Sequence, residues 1–186
     1  GATSASYTIN STTPADAGSY NVVVTNSAGN VTSNNATLAV LPVFTAPAPD
    51  GYAASVTGGG TATTSNHTLV TTASEFRTLA ESNSTAVITV SGSLDLGSTK
   101  VAVKSNKTIQ GLNDSATITG NLELASGVSN VVIRGLNITN PNGDGITLAG
   151  AASVYITHVS FYNCSHTLLR ISGGAAERRF DVVGAR

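Results

Sequence analysis

The sequence predicts an all-β chain whose greater part winds as a parallel β-helix. Three observations lead there. Residues 106–112, 130–138 and 153–161 read N-K-T-I-Q-G-L, N-V-V-I-R-G-L-N-I and S-V-Y-I-T-H-V-S-F, one pattern returning every 23 to 24 residues. Ile109, Ile133 and Ile156 fall in register, as do Leu112, Leu136 and Val159; Leu122 aligns with Ile146 and Leu169, and Leu124 with Leu148 and Ile171. Between these positions apolar and polar residues alternate, which is a strand period and not a helix period. A repeat this short means stacked coils, each burying its apolar side chains on the coils above and below.

Composition narrows the function. Charged residues make up 10% of the 186 and the net charge is -1. That excludes a nucleic-acid partner held by phosphate neutralisation. Cys164 is the one cysteine, so no intrachain disulfide and no cysteine-based zinc site is expected. No apolar run has the length of a membrane span. The Ser, Thr, Asn and Gly richness and the absence of methionine suit a piece of a longer, secreted polypeptide, expected to act as a monomer.

Residues 1–41 have their own grammar. Strands are expected at 7–9, 21–26 and from Val31 on through 36–41, with a turn at 26–30. The run D-A-G-S-Y at 16–20 resembles the tyrosine corner of immunoglobulin-like sandwiches, with Val22 standing where the second cysteine would pack between the sheets. The resemblance is to the last strands of a bacterial Ig-like module, so a partial sandwich is expected here. Residues 42–50, P-V-F-T-A-P-A-P-D, read as a semi-rigid proline-spaced linker.

Residues 51–64 read as extended or loop; their G-G-G run lacks the Lys-Ser/Thr and helix of a phosphate cradle. Thr72 and Glu75 form a capping box, and Phe76, Leu79 and Ala80 share one face of a helix expected over 73–82. A solenoid end needs covering, and this N-terminal capping helix is read as the lid. Residues 86–90 are then the first good strand. Asn106 and Asn130 lie one coil, about 4.8 Å, apart and can stack their amides in a ladder that Ser153 ends. Arg134 is expected to stack outward between Gln110 and Thr157 as a solvated group. His67 is expected at the surface, His158 at a coil corner in line with Gly135, and Cys164 packed as a small apolar side chain.

Taken together, V-T-T-A-S-E-F-R, S-N-K-T-I-Q-G, V-S-N-V-V-I-R-G-L-N-I-T, G-D-G-I-T-L and V-Y-I-T-H-V-S-F-Y resemble the N-terminal half of pectate lyases of polysaccharide lyase family 1, over about residues 51–165. The resemblance implies a right-handed parallel β-helix, a secreted enzyme, and calcium-dependent β-elimination of polygalacturonate or a related acidic polysaccharide. Calcium would bridge protein and substrate carboxylates, and an arginine would take the proton. By the same resemblance Asp144 keeps one acidic metal ligand, and Asn142 stands where some members have a second. His166 and Arg170 replace the two acids of a D-G-x-x-D pattern, and a guanidinium repels a cation. The family's base arginine falls beyond residue 186, so no catalytic residue is assigned and calcium is not expected to bind tightly. After Ile171 the strand alternation fades and arginines accumulate, so 51–171 is read as a partial β-helix and 172–186 as an atypical tail, from truncation or a frame change. An inactive lyase copy is therefore the expected function. The alternative is a non-catalytic polysaccharide-binding or surface-adhesion protein.

Overall fold

The computed structural model describes residues 3–9, 12, 14–40, 54–63, 65–173 and 178–181. The chain divides into two compact units, Gly1–Val43 and Phe44–Arg186. The expected linker at 42–50 lies outside the described residues.

In the first unit a 3-10 turn at Pro14–Asp16 leads to β1 (Gly18–Tyr20) and β2 (Val23–Asn26), followed by β3 (Gly29–Thr32) and β4 (Ala36–Leu38). β1 pairs with β4 and β2 with β3, both antiparallel. Tyr20 Oη donates to the Asp16 carbonyl at 2.6 Å. Val22 is 62% and Val31 73% exposed, so the expected burial of Val22 between sheets is not met among the described residues. Residues 7–9 are irregular; they have no partner strand among the described residues, and a strand without a ladder does not form.

The second unit is a parallel β-helix. Its strands are β5 (His67–Val70), β6 (Ala86–Val90), β7 (Ser93–Asp95), β8 (Val101–Ala102), β9 (Lys107–Gly111), β10 (Thr117–Thr119), β11 (Leu122–Ala125), β12 (Ser129–Asn140), β13 (Ile146–Ala149), β14 (Ala152–Cys164), β15 (Leu169–Ser172) and β16 (Arg178–Asp181). One parallel ladder runs β5-β6-β9-β12-β14-β16, a second runs β8-β11-β13-β15, and β7 and β10 pair ahead of the second half of β12. β12 and β14 each turn a corner midway, at Gly135 (φ 59) and His158 (φ 51), which stand in line. Gly carries that left-handed conformation without strain, whereas His158 holds it against its Cβ. Each coil thus has three faces around one interior.

The interior holds the expected columns. Ile88, Ile109, Ile133 and Ile156 are paired in register and fully buried. Leu122 pairs with Ile146 and Leu169, and Leu124 with Leu148 and Ile171, although Ile171 on the last rung of its column is 45% exposed. The ladder at the corner also forms: Asn130 Nδ2 donates to Asn106 Oδ1 at 2.8 Å, and both residues have positive φ.

Helix α1 (Ala73–Ala80) has the predicted capping box and buries Phe76 and Ala80 in the same core. It ends two residues early, Glu81 bonding back to Arg77. The 86–90 strand is not the first, however. β5 precedes the helix and pairs with β6, hidden in sequence because only Leu69 and Val70 are strongly apolar. The 54–63 segment is also more than a loop. It straps the outer sheet face, with the Thr57 and Gly58 amides donating to Asn130 Oδ1 at 2.8 and 2.9 Å, and Gly59 N to Thr108 Oγ1 at 2.9 Å. Val56 there packs on Val132 and Tyr155. A Cβ at Gly59 would overlap the Ala86 carbonyl, so glycine is required for this close approach.

The tail needs a second correction. Residues 178–181 add a strand to the long ladder, with Phe180 in register with Ile156.

Candidate functional site

The expected metal ligands, Asp144 and Asn142, lie in the turn between β12 and β13; His166 lies in the connection before β15, and Arg170 within β15. Asparagines build this turn. Asn140 Nδ2 donates to the Asp144 carbonyl at 2.7 Å, while its Oδ1 accepts from Asn142 N at 3.1 Å. From the previous coil, Asn121 Nδ2 donates to the same Asp144 carbonyl and to Thr147 Oγ1, both at 3.0 Å. The buried Asn121 Oδ1 has no hydrogen-bond partner among the described residues. Gly145 N and Ile146 N donate to the Thr167 and Leu168 carbonyls at 3.0 Å, so the turn and the next coil are stitched together.

This frame brings Asp144 and Arg170 together. Asp144 Oδ1 accepts from Thr167 N at 3.0 Å, and Oδ2 faces Arg170 Nη1 at 3.4 Å. The carboxylate is nearly enclosed, its side chain 12% exposed, whereas the guanidinium is 60% exposed. Arg170 lies in one column with Glu123 and Thr147. Asn142 is exposed at the tip of the turn and His166 is exposed beside it. Burial first, and the nearby Asp144 charge after it, hold the Cys164 thiol above its ordinary pKa. Cys164 is half-buried beside the turn, so it is less enclosed than expected for an apolar packing residue.

Calcium takes six to eight oxygen ligands, several of them carboxylates. Here both oxygens of Asp144 are engaged, one by an amide and the other by a guanidinium. Among the described residues no group of three or more His, Cys, Asp or Glu converges. These residues do not fit a calcium ion.

The outer face of the long ladder holds a second polar group that sequence reading underrated. His67 Nε2 meets Thr89 Oγ1 at 2.7 Å, Gln110 Nε2 donates to that hydroxyl at 3.0 Å, and Arg134 donates from Nε and Nη2 to Gln110 Oε1 at 3.0 and 2.7 Å. Neither His67 nor Arg134 is the solvated surface group expected. Both are half-buried, because the side chains of successive coils stand one strand spacing apart and bond along the stack. Burial lowers the His67 pKa below its ordinary value of 6.5. A base lowered in the folded state is protonated more readily when unfolded, so His67 withdraws stability as pH falls through about 6.5, levelling off below its folded value. Thermal melts from pH 8 to pH 5 should show that loss, and His67→Asn should flatten it.

A sequence profile described as pectate lyase matches residues 24–181. The chain belongs to the pectate lyase family. The match extends the expected 51–165 span in both directions and takes in β16. The pectate lyase plyB of Emericella nidulans is 38% identical over 114 residues, 59% of this chain and 34% of that protein. Pectin lyase B of the same organism is 38% identical over 85 residues, 42% of this chain and 22% of that protein. A probable pectin lyase F of Aspergillus niger is 44% identical over 64 residues, 31% and 13% of the two chains. This pectate lyase family member therefore spans about a third or less of the length of those relatives. A solved pectate lyase bound to a hexasaccharide superposes with a TM-score of 0.53 at 18% identity, over 60% of this chain and 48% of that one, which shows the shared fold. No helix among the described residues is long and apolar enough to cross a membrane.

Proposed function

We propose that this chain is part of a secreted polysaccharide lyase that engages polygalacturonate or a related acidic polysaccharide, and that its own residues bind the uronan without calcium and without turning it over. The carrying observation is the Asp144–Arg170 pair at 3.4 Å. A largely exposed guanidinium, held by an enclosed carboxylate, presents a planar positive donor fork to the solvent. A uronate carboxylate is the sugar-acid group that complements it. The family's cation would sit where this guanidinium stands, so the residues support recognition of the anion by Arg170 and no step that runs through a metal. The Tyr20–Asp16 bond further supports reading the first unit as the end of an Ig-like module, a spacer or adhesion unit ahead of the β-helix.

Retention on immobilised polygalacturonate tests the proposal. Wild type should be retarded at low salt, with or without a chelator, and should release no ultraviolet-absorbing unsaturated product. Arg170→Ala should lose most of the retention, a fall of about threefold to tenfold in affinity for one exposed charged contact. Calcium-dependent product release by this chain would refute the reading. Equal retention of the variant would remove Arg170 from it and favour an adhesion role carried by other surfaces.

A further inference from the structure

Lys107 occupies a position that the coil pattern reserves for an aliphatic residue. Its column in the interior reads Ala86, Lys107, Val131, Val154, paired in register. The side chain is 0% exposed. An ammonium in such a place is costly unless every donor is met and its charge is answered. Its Nζ donates to the carbonyls of Ser82, Ser84 and Ser105 at 2.9, 2.5 and 3.2 Å, three acceptors for three donors. Among the described residues no carboxylate pairs with it.

The three carbonyls come from two places. Ser82 and Ser84 lie in the connection from α1 to β6, and Ser105 lies just before β9 on the next coil. Lys104 N also donates to the Ala80 carbonyl at 2.9 Å, so the helix exit and this corner already lie against each other. Arg77 makes the reciprocal contact from the helix, its Nη2 donating to the Leu96 and Thr99 carbonyls at 2.6 Å. Carbonyl oxygens turned inward around a point charge are the arrangement by which proteins hold small cations.

We propose that the Ser82, Ser84 and Ser105 carbonyls form an internal monovalent-cation site, which the chain fills with its own Lys107 ammonium to lock the capping helix onto the second coil. Packing alone does not require the charge, since a neutral side chain of the same length would fill the same space. Without the ammonium, three part-buried carbonyls lose their donor together, and the lid loses one of its attachments to the coil beneath.

The test separates charge from shape. Lys107→Cys in a Cys164→Ser background is alkylated while unfolded, then refolded by dilution, so that a poorly folding cysteine variant does not block it. 2-Bromoethylamine restores an ammonium at lysine length, and 1-bromopropane gives a neutral side chain of that length. The aminoethylated chain should melt within about 2 °C of the Cys164→Ser parent. The propylated chain should melt at least about 5 °C lower or fail to refold, the scale expected when a charged donor of several hydrogen bonds is lost. If the two alkylated chains behave alike, whether both recover or both fail, the cation site is refuted.

Discussion

Replacing Ile133 by Asp should leave the chain unable to fold, and Ile133→Ala should cost about 3–4 kcal/mol. Ile133 is fully buried at the centre of the isoleucine column, with Ile109 and Ile156 directly above and below it. Its truncation opens a cavity between two coils that cannot close, because the ladder spacing is fixed by backbone hydrogen bonds. A carboxylate there has no partner and would have to be buried uncompensated. The alternation supplies the control. Leu122→Ala and Leu124→Ala should each cost about 2–4 kcal/mol, whereas Glu123→Ala between them should cost less than about 1, losing only its exposed pair with Lys100. Urea unfolding monitored by circular dichroism gives all four values. Similar costs at 122, 123 and 124 would contradict the coil register.

Restoring acids at the two exchanged positions should create a calcium response that the wild type lacks. In His166→Asp/Arg170→Asp the guanidinium that engages Asp144 Oδ2 is gone, and two carboxylates join the one already fixed by Thr167 N. If the new site binds near 0.1 mM, then 10 mM calcium adds about 2.7 kcal/mol, or about 5–10 °C in Tm. Wild type should shift by less than about 1 °C. The double variant should also melt lower than wild type in a chelator, since like charges then converge without a counterion.

The register of the solenoid was readable because burial inside a coil imposes it. A side chain with neighbours above and below must be apolar at every turn, and Ile109, Ile133 and Ile156 state that plainly. The capping box was readable for a similar reason, since Thr72 and Glu75 satisfy amides that nothing else reaches. What escaped the sequence lies where polar groups meet across coils. Lys107 sits at an interior position, and nothing in a seven-residue window reveals three carbonyls waiting around it. The bond from His67 to Thr89 links residues 22 apart, and the Asn121 contacts to Asp144 and Thr147 need a turn whose shape is set by Asn140. β5 and β16 were missed because their sequences carry few apolar residues: β5 reads His-Thr-Leu-Val and places only Val70 in the core, and β16 reads Arg-Arg-Phe-Asp. Of the candidate site, the exchange of acids for His166 and Arg170 was visible by comparison of motifs. The direct contact between Arg170 and Asp144 follows from the one-coil stacking of β13 on β15.

Calorimetric titration of calcium into the folded wild-type chain is the most direct measurement. With Asp144 held by Thr167 and Arg170, heats should match dilution up to about 10 mM calcium, beyond even the weak extracellular range of protein sites. Stoichiometric binding with a Kd below about 1 mM would show that the guanidinium yields to the ion, and that the site keeps its family's metal.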